Sequence, residues 1–316
     1  MKFKKPKFWD LSQPNILAYL LFPFTLPIRL NNLILNFKSK KKIKKLKTIC
    51  VGNIYLGGTG KTPTVIKLFE IIKKLNFDVV TAKKFYSSHK DEIILLKKKT
   101  NLITAPNRQN IIDIAFNNNN KIVVFDDGLQ DGSIDYDLKF VCFDTKSWLG
   151  NGCLIPSGPL REKIDSLKKY DAVFLKNNYE KNFEIIETIK KYNPQINIFN
   201  TKYIIKNLDK ININEKYLVF SGIGNPDDFK NVLIKNNFDV VNELVFPDHY
   251  KYKYQDILNI KKKAKQINAK IITTEKDFVK IPMKDRNEIN FLEIDLKIIE
   301  EENLSKFLKL NIHEWN

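Results

Sequence analysis

Residues 46–75 read LKTICVGNIYLGGTGKTPTVIKLFEIIKKL, and everything else in the chain is arranged around them. Leu46 to Val51 (LKTICV) read as a short buried strand. Gly52, Asn53, Ile54, Tyr55, Leu56, Gly57, Gly58, Thr59, Gly60, Lys61 and Thr62 follow. Beyond them Val65, Leu68, Phe69, Ile72 and Leu75 recur with the period of one buried helix face. Strand, glycine loop, Gly-Lys-Thr and helix, in that order, is the context of a phosphate-binding loop. Gly57, Gly58, Thr59 and Gly60 let backbone N–H groups curl around phosphate oxygens, and the helix N-terminus adds its partial positive charge. Lys61 is placed to reach the β- and γ-phosphates, and Thr62 to hold Mg²⁺. The strict pattern has a glycine where this chain has Tyr55.

Downstream, Lys121 to Phe125 (KIVVF) predict a strand that ends in Asp126-Asp127-Gly128-Leu129-Gln130. Acids at the carboxyl end of a strand beside the phosphate loop are where such proteins hold Mg²⁺, directly or through water. Asp126 and Asp127 are therefore the candidate metal-side carboxylates. Strands are expected near 46–51, 78–82, 121–125, 138–144 and 172–175, and helices near 62–75, 91–99, 109–118 and 183–192. That alternation predicts an α/β fold, a mostly parallel sheet with helices on both faces. Residues 194–216 read as a crossing ribbon or linker. A smaller α/β unit follows, with strands near 217–221, 239–245 and 270–274 and helices near 227–236 and 254–267. The expected division is an N-terminal segment 1–37, a phosphate-loop domain 38–195, a linker or ribbon 196–216 and a C-terminal domain 217–316.

Composition narrows the class. Of 316 residues, 43% are hydrophobic and 28% charged, which suits a folded protein with two cores. Cys50, Cys142 and Cys153 form no C-x-x-C pair, which argues against a disulfide scaffold or a cysteine zinc site. Three histidines argue against a multi-histidine metal centre.

The net charge is +18, unevenly spread. Residues 1–47 hold eleven lysines and Arg29 against Asp10 alone, so this segment carries +11 of it. The chain is also rich in Lys, Asn and Ile throughout, as an AT-rich coding sequence would dictate. Within that basic segment, residues 11–28 (LSQPNILAYLLFPFTLPI) carry no charge. A helix of that length would span roughly 27 Å, but Pro14, Pro23 and Pro27 argue against an unbroken one. The expectation is an amphipathic element lying in a membrane interface. Leu17, Leu20, Leu21, Phe22 and Phe24 would enter the acyl boundary, and the lysines would sit on anionic headgroups. The competing readings are an internal structural helix and, with less support, a cleaved signal peptide. No nucleic acid is expected, because no aromatic residue interleaves the lysines of 38–47.

Taken together, six stretches resemble the tetraacyldisaccharide 4'-kinase (lipid A 4'-kinase) family, in that family's order. They are Val51 to Pro63 (VGNIYLGGTGKTP), Asp126 to Gln130 (DDGLQ), Gly150 to Glu162 (GNGCLIPSGPLRE), Ser221 to Phe229 (SGIGNPDDF), Phe246 to His249 (FPDH) and Thr273 to Lys280 (TTEKDFVK). The resemblance implies phosphorylation, dependent on ATP and Mg²⁺, of the 4'-hydroxyl of a tetraacylated glucosamine disaccharide 1-phosphate. It places that reaction at the cytoplasmic face of the bacterial inner membrane, with the protein peripheral or monotopic. Implied partners are the lipid A disaccharide precursor and anionic inner-leaflet lipids.

By the same resemblance, Gln130 and Arg161 belong to the nucleotide side and Glu162 to the metal side. Asp91 and His249 correspond to an aspartate–histidine pair that takes the acceptor's proton, since a sugar hydroxyl is a poor nucleophile near neutral pH. The chain departs from the family at Ala82 to Tyr86 (AKKFY, usually S-R-G-Y-G), at Lys90 and at Asp131, where a histidine is usual. These departures are expected to bear on the acceptor side and to leave the nucleotide site as it is. The alternatives are a non-catalytic membrane-associated ATP-binding protein and a GTP-driven switch. The switch lacks its Asn-Lys-x-Asp stretch; Glu275-Lys276-Asp277 is the nearest string.

Overall fold

The computed structural model describes residues 5–37, 41–43, 45–85, 90–176, 183–248 and 250–313. They fall into two compact units that are not contiguous in sequence. The larger lies within Phe3–Phe85, Lys99–Lys202 and Leu296–Asn316, and the smaller within Tyr86–Lys98 and Tyr203–Asp295. The linear boundaries expected at 195 and 217 therefore differ from the observed grouping. A helical excursion leaves the first unit early, and the last strand and helix return to it.

The larger unit is built on β1 (Lys47–Gly52), β2 (Val79–Lys84), β3 (Leu102–Ala105), β4 (Ile122–Asp126), β5 (Leu138–Asp144), β6 (Ala172–Lys176) and β7 (Asn197–Ile205). Their order across the sheet is β7-β6-β5-β1-β4-β2-β3, parallel throughout. An eighth strand, Ile294–Ile298, extends the β7 edge. β1 is central, and Thr48 to Gly52 are all buried because both faces are covered.

Successive side chains of a strand alternate between the two faces. On β5, Val141 and Phe143 pack with Ile189 of the helix Phe183–Tyr192. Cys142 faces the other way, its thiol 3.6 Å from Thr64 in the helix Lys61–Lys74. Phe140 shares that second face with Phe174, Phe199 and Phe307, the last on the helix Glu301–His313. The stretch expected as a linker is in part β7. Only Phe199 and Thr201 of that strand are fully buried, so it resembled a loosely held ribbon.

The smaller unit has its own four-stranded sheet. It joins β8 (Lys216–Ser221), β9 (Asp239–Val245), β10 (Lys270–Thr274) and β11 (Ile289–Leu292) in the order β9-β8-β10-β11, again parallel. The helices Pro226–Lys235 and Tyr254–Gln266 supply Phe229 and Leu233 to one apolar cluster and Ile257 and Ile260 to another. The helix Lys90–Lys99 also belongs to this unit and carries Asp91 and Glu92 in its first turn, where the helix dipole favours acids.

The N-terminal segment forms the helix Ile16–Leu21, a tight turn Phe22–Thr25 and the helix Leu26–Phe37. Pro23 falls in the turn and Pro27 in the first turn of the second helix, where its missing N–H costs nothing. Ala18 and Thr25 are buried, and Leu21, Ile28, Asn32 and Leu35 are half-buried. This stripe repeats at helical spacing and alternates the small or polar Ala18, Thr25 and Asn32 with the apolar Leu21, Ile28 and Leu35. The exposed positions are the large apolar ones, among them Ile16 (79% exposed), Leu20, Phe24, Leu30, Leu33, Ile34 and Phe37 (87%). A water-soluble surface helix carries polar residues on its outward face, and this one does not.

Candidate active site

β1 delivers the chain to the glycine loop, and the helix Lys61–Lys74 begins directly after it. Gly60 closes the loop at φ +89°, in the left-handed region that a side chain would strain. Buried Asn53 braces the loop from within, its amide donating to the Gly57 carbonyl (3.2 Å) and to Thr59 Oγ1 (3.0 Å). The sequence reading passed over Asn53, although it lies inside the quoted motif.

At the carboxyl end of β4, Thr62 Oγ1 donates to Asp126 Oδ2 at 2.9 Å, and Lys83 Nζ donates to the same oxygen at 2.6 Å. The other carboxylate oxygen, Asp126 Oδ1, is buried with no hydrogen-bond partner among the described residues. A buried oxygen of this kind, beside a threonine hydroxyl and a second aspartate, suits a hard divalent cation that takes oxygen ligands. Asp127 follows at φ +62°, with its carboxylate 3.2 Å from Arg161 Nη1 and 3.9 Å from Lys61 Nζ. Burial works against its ionisation, but Lys61, Arg161 and Lys83 outweigh that and hold its carboxyl below the usual carboxylate range.

Arg161 also donates to Gln130 Oε1 (3.3 Å). Gln130 in turn donates to the Asn53 carbonyl (3.0 Å) and to Glu162 Oε1 (2.8 Å). Tyr170 donates to that same Glu162 oxygen (2.9 Å), and Lys169 pairs with the other (3.4 Å). Two adjoining sets of contacts thus stand at the glycine loop, Thr62–Asp126–Lys83 and Lys61–Asp127–Arg161–Gln130–Glu162, joined through the chain at 61–62 and 126–127.

Two departures from the family pattern touch these contacts, contrary to the expectation that they concern the acceptor alone. Lys83 is the cation on Asp126. Asp131 pairs with buried Arg108, whose other amino group donates to the Asp127 carbonyl (2.5 Å). The cause is strand register. Ala82 lies opposite Phe125, so the next residue on each strand brings Lys83 beside Asp126.

Asp91 belongs to the smaller unit. It is 4% exposed, and its Oδ2 lies 3.4 Å from Lys276 Nζ and 3.6 Å from Lys280 Nζ. Both lysines come from the Thr273 to Lys280 stretch. Thr274 caps the short helix Glu275–Phe278 there, and Asp277 accepts from Lys280 (2.8 Å), Thr274 Oγ1 (2.8 Å) and the Gly222 N–H (2.9 Å). Lys276 also meets Glu92 (3.8 Å) and Asp248 (3.4 Å). Burial disfavours its ammonium, but Asp248, Glu92, Asp91 and Asp277 raise its pKa above the usual lysine value. The sequence reading quoted this stretch without giving its lysines a role. His249 lies outside the described residues.

A glycine loop at a strand–helix junction, a threonine bonded to a strand-end aspartate, and lysine and arginine converging on a second aspartate define a P-loop phosphotransfer protein. The model of the family described as tetraacyldisaccharide-1-P 4'-kinase matches residues 16–313. A tetraacyldisaccharide 4'-kinase of Pelagibacter ubique is 47% identical over 314 residues, covering 98% of this chain and 99% of that one. One from Rickettsia bellii is 35% identical over 298 residues, covering 89% and 90%. The chain belongs to the tetraacyldisaccharide 4'-kinase family and is a kinase. The crystal structure of LpxK from Aquifex aeolicus in complex with ATP shares the fold, with a TM-score of 0.68 at 21% identity over 94% of this chain and all of that one.

Proposed function

We propose that this chain transfers a phosphoryl group from ATP to the 4'-hydroxyl of a tetraacylated glucosamine disaccharide 1-phosphate in lipid A biosynthesis. The observation that carries this reading is the buried oxygen of Asp126 beside Thr62, with Asp127 held ionised by Lys61 and Arg161. Thr62, Asp126 and Asp127, with Glu162 on the same metal side, would hold Mg²⁺, and Glu162 also orients Gln130. Magnesium, when bound, supplies charge neutralisation across the phosphates. Gly57, Gly58, Thr59 and Gly60 cradle the phosphates with backbone N–H groups. Lys61 and Arg161 stabilise the charge that spreads over the transferred group. Asp91 and His249 orient the acceptor hydroxyl and take its proton.

The test is incubation with radiolabelled ATP and a purified lipid A disaccharide precursor. Absence of labelled lipid, with nucleotide bound, would sink the proposal. Asp126→Ala is expected to raise the Mg²⁺ needed for half-maximal turnover by about tenfold or more. Loss of Mn²⁺ binding, followed by electron paramagnetic resonance, should run in parallel. An unchanged metal requirement would remove Asp126 from the metal site.

The protein is proposed to lie on the cytoplasmic face of the inner membrane, its outward apolar helix face in the acyl boundary and its lysines on anionic headgroups. The helical stretch Ile16–Leu35 is long and apolar enough to cross a bilayer by length and composition. The turn at Phe22–Thr25 and the packing of Ala18 and Asn32 against the larger unit favour lying in the interface instead. Replacing Leu20, Phe24 and Leu30 together by serine is expected to lower binding to anionic vesicles at least about tenfold, because each exposed side chain contributes on the order of 1 kcal/mol or more when buried in lipid. Unchanged co-sedimentation would count against it.

A further inference from the structure

We propose that the N-terminal element, residues 5–37, is a positioning part of the nucleotide site, acting through Tyr55 and Asn32. The inference rests on the reading of the glycine loop and Arg161 as nucleotide-binding groups. Tyr55 occupies the loop position where the strict pattern has glycine, and its contacts explain why a side chain stands there. The buried ring packs with Leu154, Leu160 and Ile28. The hydroxyl accepts from Lys5 Nζ (3.0 Å) and donates to Asp10 Oδ1 (3.0 Å). A glycine could reach none of these groups.

The second tie is Asn32, in the inward stripe of the apolar helix. Its amide donates to the Arg161 carbonyl at 2.9 Å. The Arg161 N–H donates to Ile54 (2.7 Å), the loop residue before Tyr55, and its guanidinium rests on Asp127 and Gln130. Arg161 is therefore held along its backbone by the N-terminal element on one side and the glycine loop on the other.

The chain leading to Arg161 is fastened in the same way. Trp9, 1% exposed, donates from its indole to the Pro156 carbonyl (3.0 Å), and its own carbonyl accepts from the Asn151 N–H (3.0 Å). Ser157 donates to the Ala18 carbonyl (2.5 Å). An element serving only to anchor the protein could be fixed anywhere on the larger unit. Two of its ties end instead on Tyr55, at the start of the glycine loop, and on Arg161.

The experiment measures the dissociation constant of a fluorescent ATP analogue with Mg²⁺, on the full chain, for Asn32→Leu, Tyr55→Phe, Arg161→Met and the Asn32→Leu/Arg161→Met pair. Circular dichroism and a melting curve are recorded for each. Asn32→Leu and Tyr55→Phe, each removing hydrogen bonds but little volume, are expected to weaken nucleotide binding roughly three- to tenfold. With Arg161 already replaced, Asn32→Leu should add less than about twofold, because its effect passes through that residue.

A lowered melting temperature with unchanged nucleotide affinity would show a merely structural tie and overturn the proposal. An equal loss from Asn32→Leu in both backgrounds would overturn the route through Arg161. Because no acceptor is present, failure of the lipid-kinase reading would show separately, as nucleotide binding without lipid phosphorylation. If Arg161→Met alone left the affinity unchanged, the nucleotide role of Arg161 would fall, and the inference with it.

Discussion

Replacing Lys61 by methionine is expected to lower kcat by on the order of 10² to 10³ while the melting curve stays close to that of the parent. Methionine keeps most of the length of the lysine stem, so packing at the start of the helix Lys61–Lys74 is little altered. What disappears is an ammonium 3.9 Å from Asp127, at the mouth of the glycine loop. In a site closed to water such a charge is worth far more than at a surface, and it acts most where phosphoryl charge is developing. Asp127 keeps Arg161 at 3.2 Å, so the variant loses the cation without losing the neighbouring acid's support. A turnover number within about threefold of the parent, far short of the loss typical of a deleted charge-stabilising group, would remove Lys61 from the mechanism.

The second large effect is expected at Asp91. Asp91→Asn preserves the shape of a side chain that is almost wholly buried, and should lower kcat by roughly 10² to 10⁴, the usual contribution of a general base. His249→Ala should act in the same sense. Neither change should move the nucleotide dissociation constant by more than about threefold, because the loss belongs to the proton acceptor and not to ground-state binding. An effect confined to ATP affinity would overturn the acceptor-side role. Lys276 and Lys280, both within 4 Å of the Asp91 carboxylate, require that the structural integrity of Asp91→Asn be checked, since it leaves two ammoniums without their shared counter-charge.

Much of this was legible in residues 46–75 and 121–130. Local signals carried it: an apolar strand, glycines, Gly-Lys-Thr, a helical period, then a strand ending in two acids. The helix boundaries read from periodicity at 62–75, 91–99, 109–118 and 183–192 lie within one residue of those observed. The four-residue strand Leu102–Ala105 was invisible, being too short to show a period.

The site contacts that escaped the sequence reading have three different causes. Lys83 reaches Asp126 through the lateral register of two parallel strands, which no spacing along one chain encodes. Lys276 and Lys280 reach Asp91 from a distant stretch of the same unit. Tyr55 looked like a blemish in a motif because its partners Lys5, Asp10 and Ile28 lie in a segment read for its charge and its greasiness as a membrane element.

The return of the chain end to the larger unit has a consequence for biosynthesis. The rings of Phe140 and Phe199 are capped by Phe307, and Lys67 of the phosphate-loop helix pairs with Glu301 at 3.4 Å. Until residues 296–313 have left the ribosome, the sheet lacks its last strand and the part of that face around Phe140 and Phe199 lacks Phe307. The nascent kinase must therefore wait, through the whole translation of the smaller unit, with aromatic surface bared to chaperones and to other unfinished chains.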